Sequence, residues 1–201
     1  MIALGLAALM VDIKVLLQFQ LNGSFNVLTE VLKGMTDEEW RSRSYPGANL
    51  VGFTVWHCAR TIDWGVNCVL RGSPELADQV EWNDMRANGA AFGAGATKEA
   101  ADGVARDVPR ARVLEYVTAL RAGALEWLAA VPPEQLAGPI DLRTSHAEKT
   151  EYMTTAVWEE LENLDGIPTW QFLARPCVSH IRIHYGEITS QLEAIRAAAR
   201  A

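Results

Sequence analysis

The chain is poor in the features that mark partners of nucleic acid or membranes. Its 18 Lys and Arg stand against 25 Asp and Glu, giving a net charge of −7 and a pI near 5.1. They form no basic cluster. Phosphate backbones are gripped by clustered Lys and Arg, so nucleic acid is excluded as a partner, and anionic membrane surfaces are disfavoured for the same reason. The amino-terminal stretch MIALGLAALMVDIK is interrupted by Asp12 and Lys14 after eleven apolar residues, where a spanning helix needs about 20. It also lacks the positive n-region of an export signal, and it reads as the opening of a buried helix. The three cysteines, Cys58, Cys68 and Cys177, are scattered, odd in number and outside any CxxC. That is no disulfide framework, and a reducing cytoplasm is the expected compartment.

Strand signals are also missing. There is no sustained period-two alternation, and no Asn-Gly or Asp-Gly turn between two apolar strands. What remains is helical, with 49% hydrophobic residues across 201 positions, enough for the core of a single domain spanning 1–201.

The first helix is expected over 8–33, with Leu16, Phe19, Phe25, Val27, Leu28 and Leu32 supplying its apolar faces. Asn49 is read as the cap of a second, running to Leu70 and stopped by Gly72. Asp107 and Pro109 open a third, which Pro132 and Pro133 end. A shorter helix over 149–164 stops at Asp165-Gly166. The last begins between Pro168 and Pro176 and ends near Ala199, with Pro176 either starting or kinking it. The Gly- and Ala-rich stretch 83–106 is expected to be irregular, as a surface loop or a mobile lid. It fits neither GxGxxG after a strand nor GxxxxGK[ST], so a nucleotide site is dismissed there. Residues 132–147 form a second irregular connection. The fold class is therefore all-α: a four-helix bundle with a long irregular connection and one extra short helix.

Four histidines are present. His180 and His184, in VSHIRIHYGEI, are four apart, so on a helix they share one face with Cβ atoms about 5–6 Å apart. They are either two ligands of one metal or two unrelated polar contacts. His146, in the polar RTSHAEK, reads as solvated surface. His57 shares its helix face with Phe53, Thr61 and Trp64, and is either a core histidine bonded to a carbonyl or the third ligand. Three imidazoles from two helices would leave positions open for water or substrate, the pattern of a catalytic metal site.

TDEEW, YPGANLVGFTVWHCARTIDWGVNCVLRG and SHIRIHYGEITSQLEAI together resemble the DinB/YfiT-like superfamily of four-helix metalloproteins. The resemblance covers about a third of the chain. In that family one histidine comes from the second helix and an HxxxH pair from the last, so it implies His57, His180 and His184 as the three ligands. The insertion 149–176 and the lack of the carboxy-terminal domain of some mycothiol-dependent members depart from the pattern and put the substrate in doubt. The resemblance further implies a divalent transition metal, zinc or nickel, and a small-molecule substrate. Its leading chemistry is transfer of a low-molecular-weight thiol, as in bacillithiol- and mycothiol-dependent transferases, to a small electrophile. It also implies a homodimer, for which residues 1–11 offer an apolar patch.

Two other readings stand beside the transferase: a metal-dependent hydrolase, and a non-enzymatic stress-related bundle that holds metal or a small ligand. A zinc peptidase is disfavoured, because HExxH needs a Glu after its first histidine and that position is Ile181. Glu187 is either a carboxylate that orients His184 or half of a surface ion pair. Cys177, three before His180, is a conceivable fourth ligand. Trp56, Trp64 and Trp170 either line an acceptor pocket or pack the core.

Overall fold

The computed structural model describes residues 12–87 and 90–200. The expectations for residues 1–11, as the start of a buried helix and as a subunit interface, lie outside them. Among the described residues there is no strand, and the chain is built from ten α-helices joined by short 3₁₀ and π turns.

Helix α1 (Ile13–Gly34) starts where the Asp12 side chain accepts the Lys14 amide at 2.9 Å, a cap that satisfies one of the orphan donors of a helix start. Leu17, Leu21, Phe25, Leu28 and Leu32 recur at three- and four-residue intervals and are buried. The opposite side is open: Leu16 and Phe19, expected to contribute to the core, are 46% and 71% exposed. The TDEEW stretch folds as the one-turn helix α2 (Asp37–Trp40). Thr36 and Glu39 form a reciprocal capping box there, at 3.1 and 2.8 Å. This turn aims Trp40 into the core, where its indole donates to the Ala105 carbonyl at 2.9 Å.

Helix α3 (Val51–Asp63) is the central element, with every residue buried. Its start corrects the sequence reading. Asn49 does not cap it; Leu50 holds the cap position without a side-chain bond, and the Val51 amide donates instead to the Ser42 carbonyl at 2.9 Å. The helix runs on as a π-helical segment, Trp64–Leu70, and ends before Gly72, whose φ of +57° is readily adopted by glycine. Gly52 is where α3 passes under Trp40: a Cβ there would lie 2.4 Å from the indole ring.

The stretch expected to be irregular over 83–106 contains helix α4 (Lys98–Asp107), capped by Thr97 and packed on α3 through Ala101, Val104 and Ala105. Small side chains let the two helices approach closely, and for the same reason they leave little periodic signal. Helix α5 (Arg110–Ala130) follows Pro109 as expected and lies along α1.

Two short helices, α6 (Pro133–Ala137) and α7 (Leu142–Glu148), occupy the second connection. The region expected as a helix over 149–164 holds a 3₁₀ turn, helix α8 (Thr155–Leu161) and a second 3₁₀ turn. Backbone bonds from Ile140 to Ile167 and from Thr169 to Gly138, at 3.0 and 2.8 Å, clip this excursion to the connection before it.

The last run is α9 (Thr169–Ala174), a π turn at Arg175–Ser179, and α10 (His180–Ala198). Pro176 neither starts this run nor breaks it. A proline interrupts the regular helical ladder, and the ladder here widens, with the His180 amide donating to the Arg175 carbonyl. The two π segments meet at Gly65, where an added Cβ would fall 2.9 Å from Cys177 Sγ.

Replacing Gly52 by Ala tests the central packing. Overfilling a core commonly costs about 1–3 kcal/mol, so the urea midpoint of Gly52→Ala should fall while the slope of the transition stays near that of the parent. An unchanged midpoint would contradict the Trp40 contact.

Candidate metal centre

Helices α3 and α10 pack together and bring three of the four histidines to one point. The ligand atoms of His57, His180 and His184 all lie within 4.8 Å of one another, and among the described residues this is the one such group of His, Cys, Asp and Glu. The rings stand nearly perpendicular, with His57 5.1 Å from each of the other two and those two 4.5 Å apart between centroids. His146 is elsewhere. It was expected on the solvated surface, but it is half-buried and stacks on Trp158 at 4.3 Å.

Each imidazole is held differently. His57 Nδ1 donates to the Phe92 carbonyl at 2.6 Å; because a carbonyl only accepts, the proton sits on Nδ1 and Nε2 keeps its lone pair. His184 Nδ1 donates to the Glu187 carboxylate at 2.9 Å, which again frees Nε2. Glu187 is held below the usual carboxylate range chiefly by that bond. His180 Nε2 lies 3.0 Å from His184 Nε2. Its Nδ1 is buried without a well-formed hydrogen bond, although the Pro176 carbonyl lies on the side that favours a proton there.

Burial, helped by the His180 ring, pushes the pKa of His57 down to about 3. Burial and then the His184 ring push His180 down to about 4. Both are neutral at pH 7, as a cation ligand must be.

The donor set fits a divalent transition metal. Two nitrogens at 2.0–2.1 Å from a tetrahedral ion would be about 3.3 Å apart, close to the 3.0 Å between the Nε2 atoms of His180 and His184. Cys177 does not join them: it is buried against Gly65, and burial raises its pKa to about 12.

The loop that carries Phe92 is shaped to reach His57. Gly93 has φ +102°, and a Cβ on it would lie 2.6 Å from His57 Nδ1. Phe92 stacks flat on Trp64 at 4.5 Å. Ala91, with the strained φ of +48°, turns its carbonyl toward Arg60 at 3.5 Å. Arg60 is the hub of a buried network that composition and motif reading missed. It meets Asp63 at 3.0 Å, Glu75 at 2.7 Å and Tyr116 at 3.1 Å. Asp63 also accepts the Asn67 amide at 2.6 Å and the backbone amides of Leu76 and Ala77 at 2.9 and 3.0 Å. Burial works against the Arg60 charge, but Tyr116, Glu75 and Asp63 overcome it and raise its pKa. The only trace in the sequence was a pair of opposite charges three apart in an otherwise apolar helix.

A cavity of about 320 Å³ opens beside His57 and His180. Its walls come from α3 and its π continuation (Thr61, Trp64), the Phe92 loop, α8 and its following turn (Val157, Leu161, Leu164), and the π turn and first turn of α10 (Arg175, Ile183). The stretch 149–176, expected as an insertion, thus supplies one side of it. Of the three tryptophans considered as pocket residues, Trp64 lines the cavity, Trp56 is buried with its indole donating to the Met85 carbonyl, and Trp170 lies away from it at 37% exposure.

Two measurements check this geometry. Gly93→Ala should weaken zinc binding about 10–100-fold, the usual scale for disturbing a ligand's orienting partner, as read by competition with a chromophoric chelator. Metal-stripped protein should also lose stability as the pH falls. An unfolded histidine takes up its proton near 6.5, whereas His57 and His180 resist until about 3 and 4. The unfolded state therefore binds more protons between those limits. The melting temperature should decline from pH 6.5 toward 4, and less steeply in His57→Gln.

Comparison with known proteins agrees with this architecture. The chain is similar in fold to the crystal structure of a conserved protein from Enterococcus faecalis, with a TM-score of 0.70 at 18% identity over 94% of this chain and 99% of that one. No curated protein matches it significantly. The profile of the DinB superfamily matches residues 20–188, a span that contains all three clustered histidines, and the chain belongs to the DinB superfamily.

Proposed function

We propose that His57, His180 and His184 hold one divalent transition metal, zinc or nickel, and that the protein is a metal-dependent transferase acting on a low-molecular-weight thiol and a small electrophile. The observation that carries the reading is the convergence of three imidazoles at the end of a mostly apolar cavity, two of them with their outer nitrogens already engaged. A divalent cation held there supplies Lewis acidity that lowers the pKa of a thiol approaching from the cavity.

The chain's own groups supply the rest. The Phe92 carbonyl and Glu187 fix the tautomers of His57 and His184, so both present lone pairs without rearrangement. Trp64, Phe92, Leu161 and Leu164 limit water around the sulfur, which strengthens every charge interaction within the cavity. Glu187 is bonded to His184, and Ile181 stands where a zinc peptidase has its general base, so neither of these two positions on α10 supplies a free carboxylate to activate water. That favours thiol transfer over hydrolysis. A homodimer, which the family resemblance implies, would cover the exposed side of α1 around Leu16 and Phe19.

The test is elemental analysis of untagged protein beside His184→Ala, followed by an assay of free-thiol loss with small electrophiles. About one metal per chain, lost in the variant, and thiol loss that needs metal and disappears in His57→Ala are expected. Full thiol turnover in His57→Ala would sink the reading.

A further inference from the structure

The cavity beside the histidines carries two charges that the fold does not use. Arg175 and Glu160 both line it and are exposed, and neither side chain forms a hydrogen bond or ion pair among the described residues. They are not paired with each other. The backbone of Arg175 is nevertheless firmly placed: its carbonyl accepts both the Ser179 hydroxyl, at 3.0 Å, and the His180 amide across the π turn. The residue is thus tied to the histidine pair while its guanidinium remains available. Ile183, on the first turn of α10, also lines the cavity and is 71% exposed, an apolar surface left at the mouth between the histidines and solvent.

We propose that Arg175 is a specificity-determining residue that binds a carboxylate at the far end of a thiol substrate whose sulfur faces His57, His180 and His184. The inference rests on the thiol reading above and names the class of thiol: a short alkyl or aryl chain with an anionic terminus. A guanidinium matches a carboxylate with two parallel hydrogen bonds, which an ammonium–carboxylate pair at Glu160 would not offer. A divalent cation on three neutral imidazoles gives this end of the cavity a net positive charge, which favours an anionic ligand and disfavours an ammonium. The volume of about 320 Å³ lies at the low end of the range for small-molecule sites, so the chain between sulfur and carboxylate is short. Leu161 and Ile183 give it an apolar path. Glu160 acts in the opposite sense and repels the same anion.

The experiment uses protein loaded with zinc for calorimetry and with cobalt(II) for absorption. The probes are 3-mercaptopropionate and 6-mercaptohexanoate, each beside the mercapto alcohol of the same length. The sulfur-to-cobalt charge-transfer band reports arrival of the sulfur whatever the tail. The better-fitting acid should bind about tenfold tighter than its alcohol, the scale of a charged hydrogen-bonded contact. Arg175→Gln should abolish that preference while leaving metal content, melting temperature and alcohol binding unchanged. Glu160→Gln should increase it about two- to threefold at low ionic strength. Equal affinity of acid and alcohol in the parent, an acid preference that survives Arg175→Gln, or a loss of acid binding in Glu160→Gln would overturn the inference. Absence of the band with every thiol, alcohols included, would overturn the thiol reading beneath it.

Discussion

The buried charge cluster around Arg60 is the constraint on which the rest of the structure depends. Arg60 is 1% exposed, and Asp63 and Glu75 are fully buried. Charges taken out of water cost several kcal/mol each unless they are paired and hydrogen-bonded. Asp63 meets that condition with Arg60, Asn67, Tyr116 and two backbone amides, while Glu75 meets Arg60 and Lys149. These partners come from α3, its π continuation, α5, the segment after Pro74 and the end of α7. Removing Arg60 would leave the buried Asp63 without its cation and Glu75 with Lys149 alone, so the elements are bound to a single arrangement. The same arginine reaches the Ala91 carbonyl, one residue before the carbonyl that fixes His57. Stability and site geometry are in this way properties of one network.

The histidine cluster is arranged on rigid parts, as a binding constellation must be to keep its geometry. His57 sits in a helix with no exposed residue, and its ring is clamped between Phe53 and Phe92, with ring centroids 6.1 and 6.4 Å away. His180 and His184 share one helical face. The cavity wall contributed by α8 is of a different kind. It is a seven-residue helix between two 3₁₀ turns, attached through a few backbone bonds. The centre belongs to the bundle, and the side that faces a ligand belongs to the excursion.

Most of the bundle was legible in the sequence because it rests on long periodic runs. Asp107 and the prolines at 109, 132 and 133 bounded α5 to within a few residues. His180 and His184 could be paired because a four-residue spacing maps directly onto a helix face, whereas His57 joined them only through the family resemblance. Other parts were hidden for physical reasons. Helix α4 is made of Ala, Gly and one Val on its packed side, so close approach rather than apolar bulk holds it in place. The Val51 amide at the start of α3 is satisfied by the Ser42 carbonyl, a partner nine residues earlier in the chain, and no local cap rule could anticipate that. Phe92 and Gly93 act on His57 through a backbone carbonyl, an atom that every residue possesses. Nothing in the local pattern around Arg175 marked it as a cavity residue, since its placement depends on the wide turn that follows it.

That wide turn has a consequence for how the chain tolerates changes of length. Each residue in a regular α-helix advances the azimuth by about 100°, so an insertion or deletion would normally swing everything downstream to another face. A π turn holds one residue more than the α turn it replaces. Deleting one residue within 175–179 would let the turn relax to α-helical form and leave His180 and His184 facing His57. The same deletion within 181–183 has no slack to absorb it and would swing His184 and the rest of α10 by about 100° around the axis relative to His180. The turn is therefore a one-residue slack in the phase of the last helix, located immediately before the residues whose phase matters most.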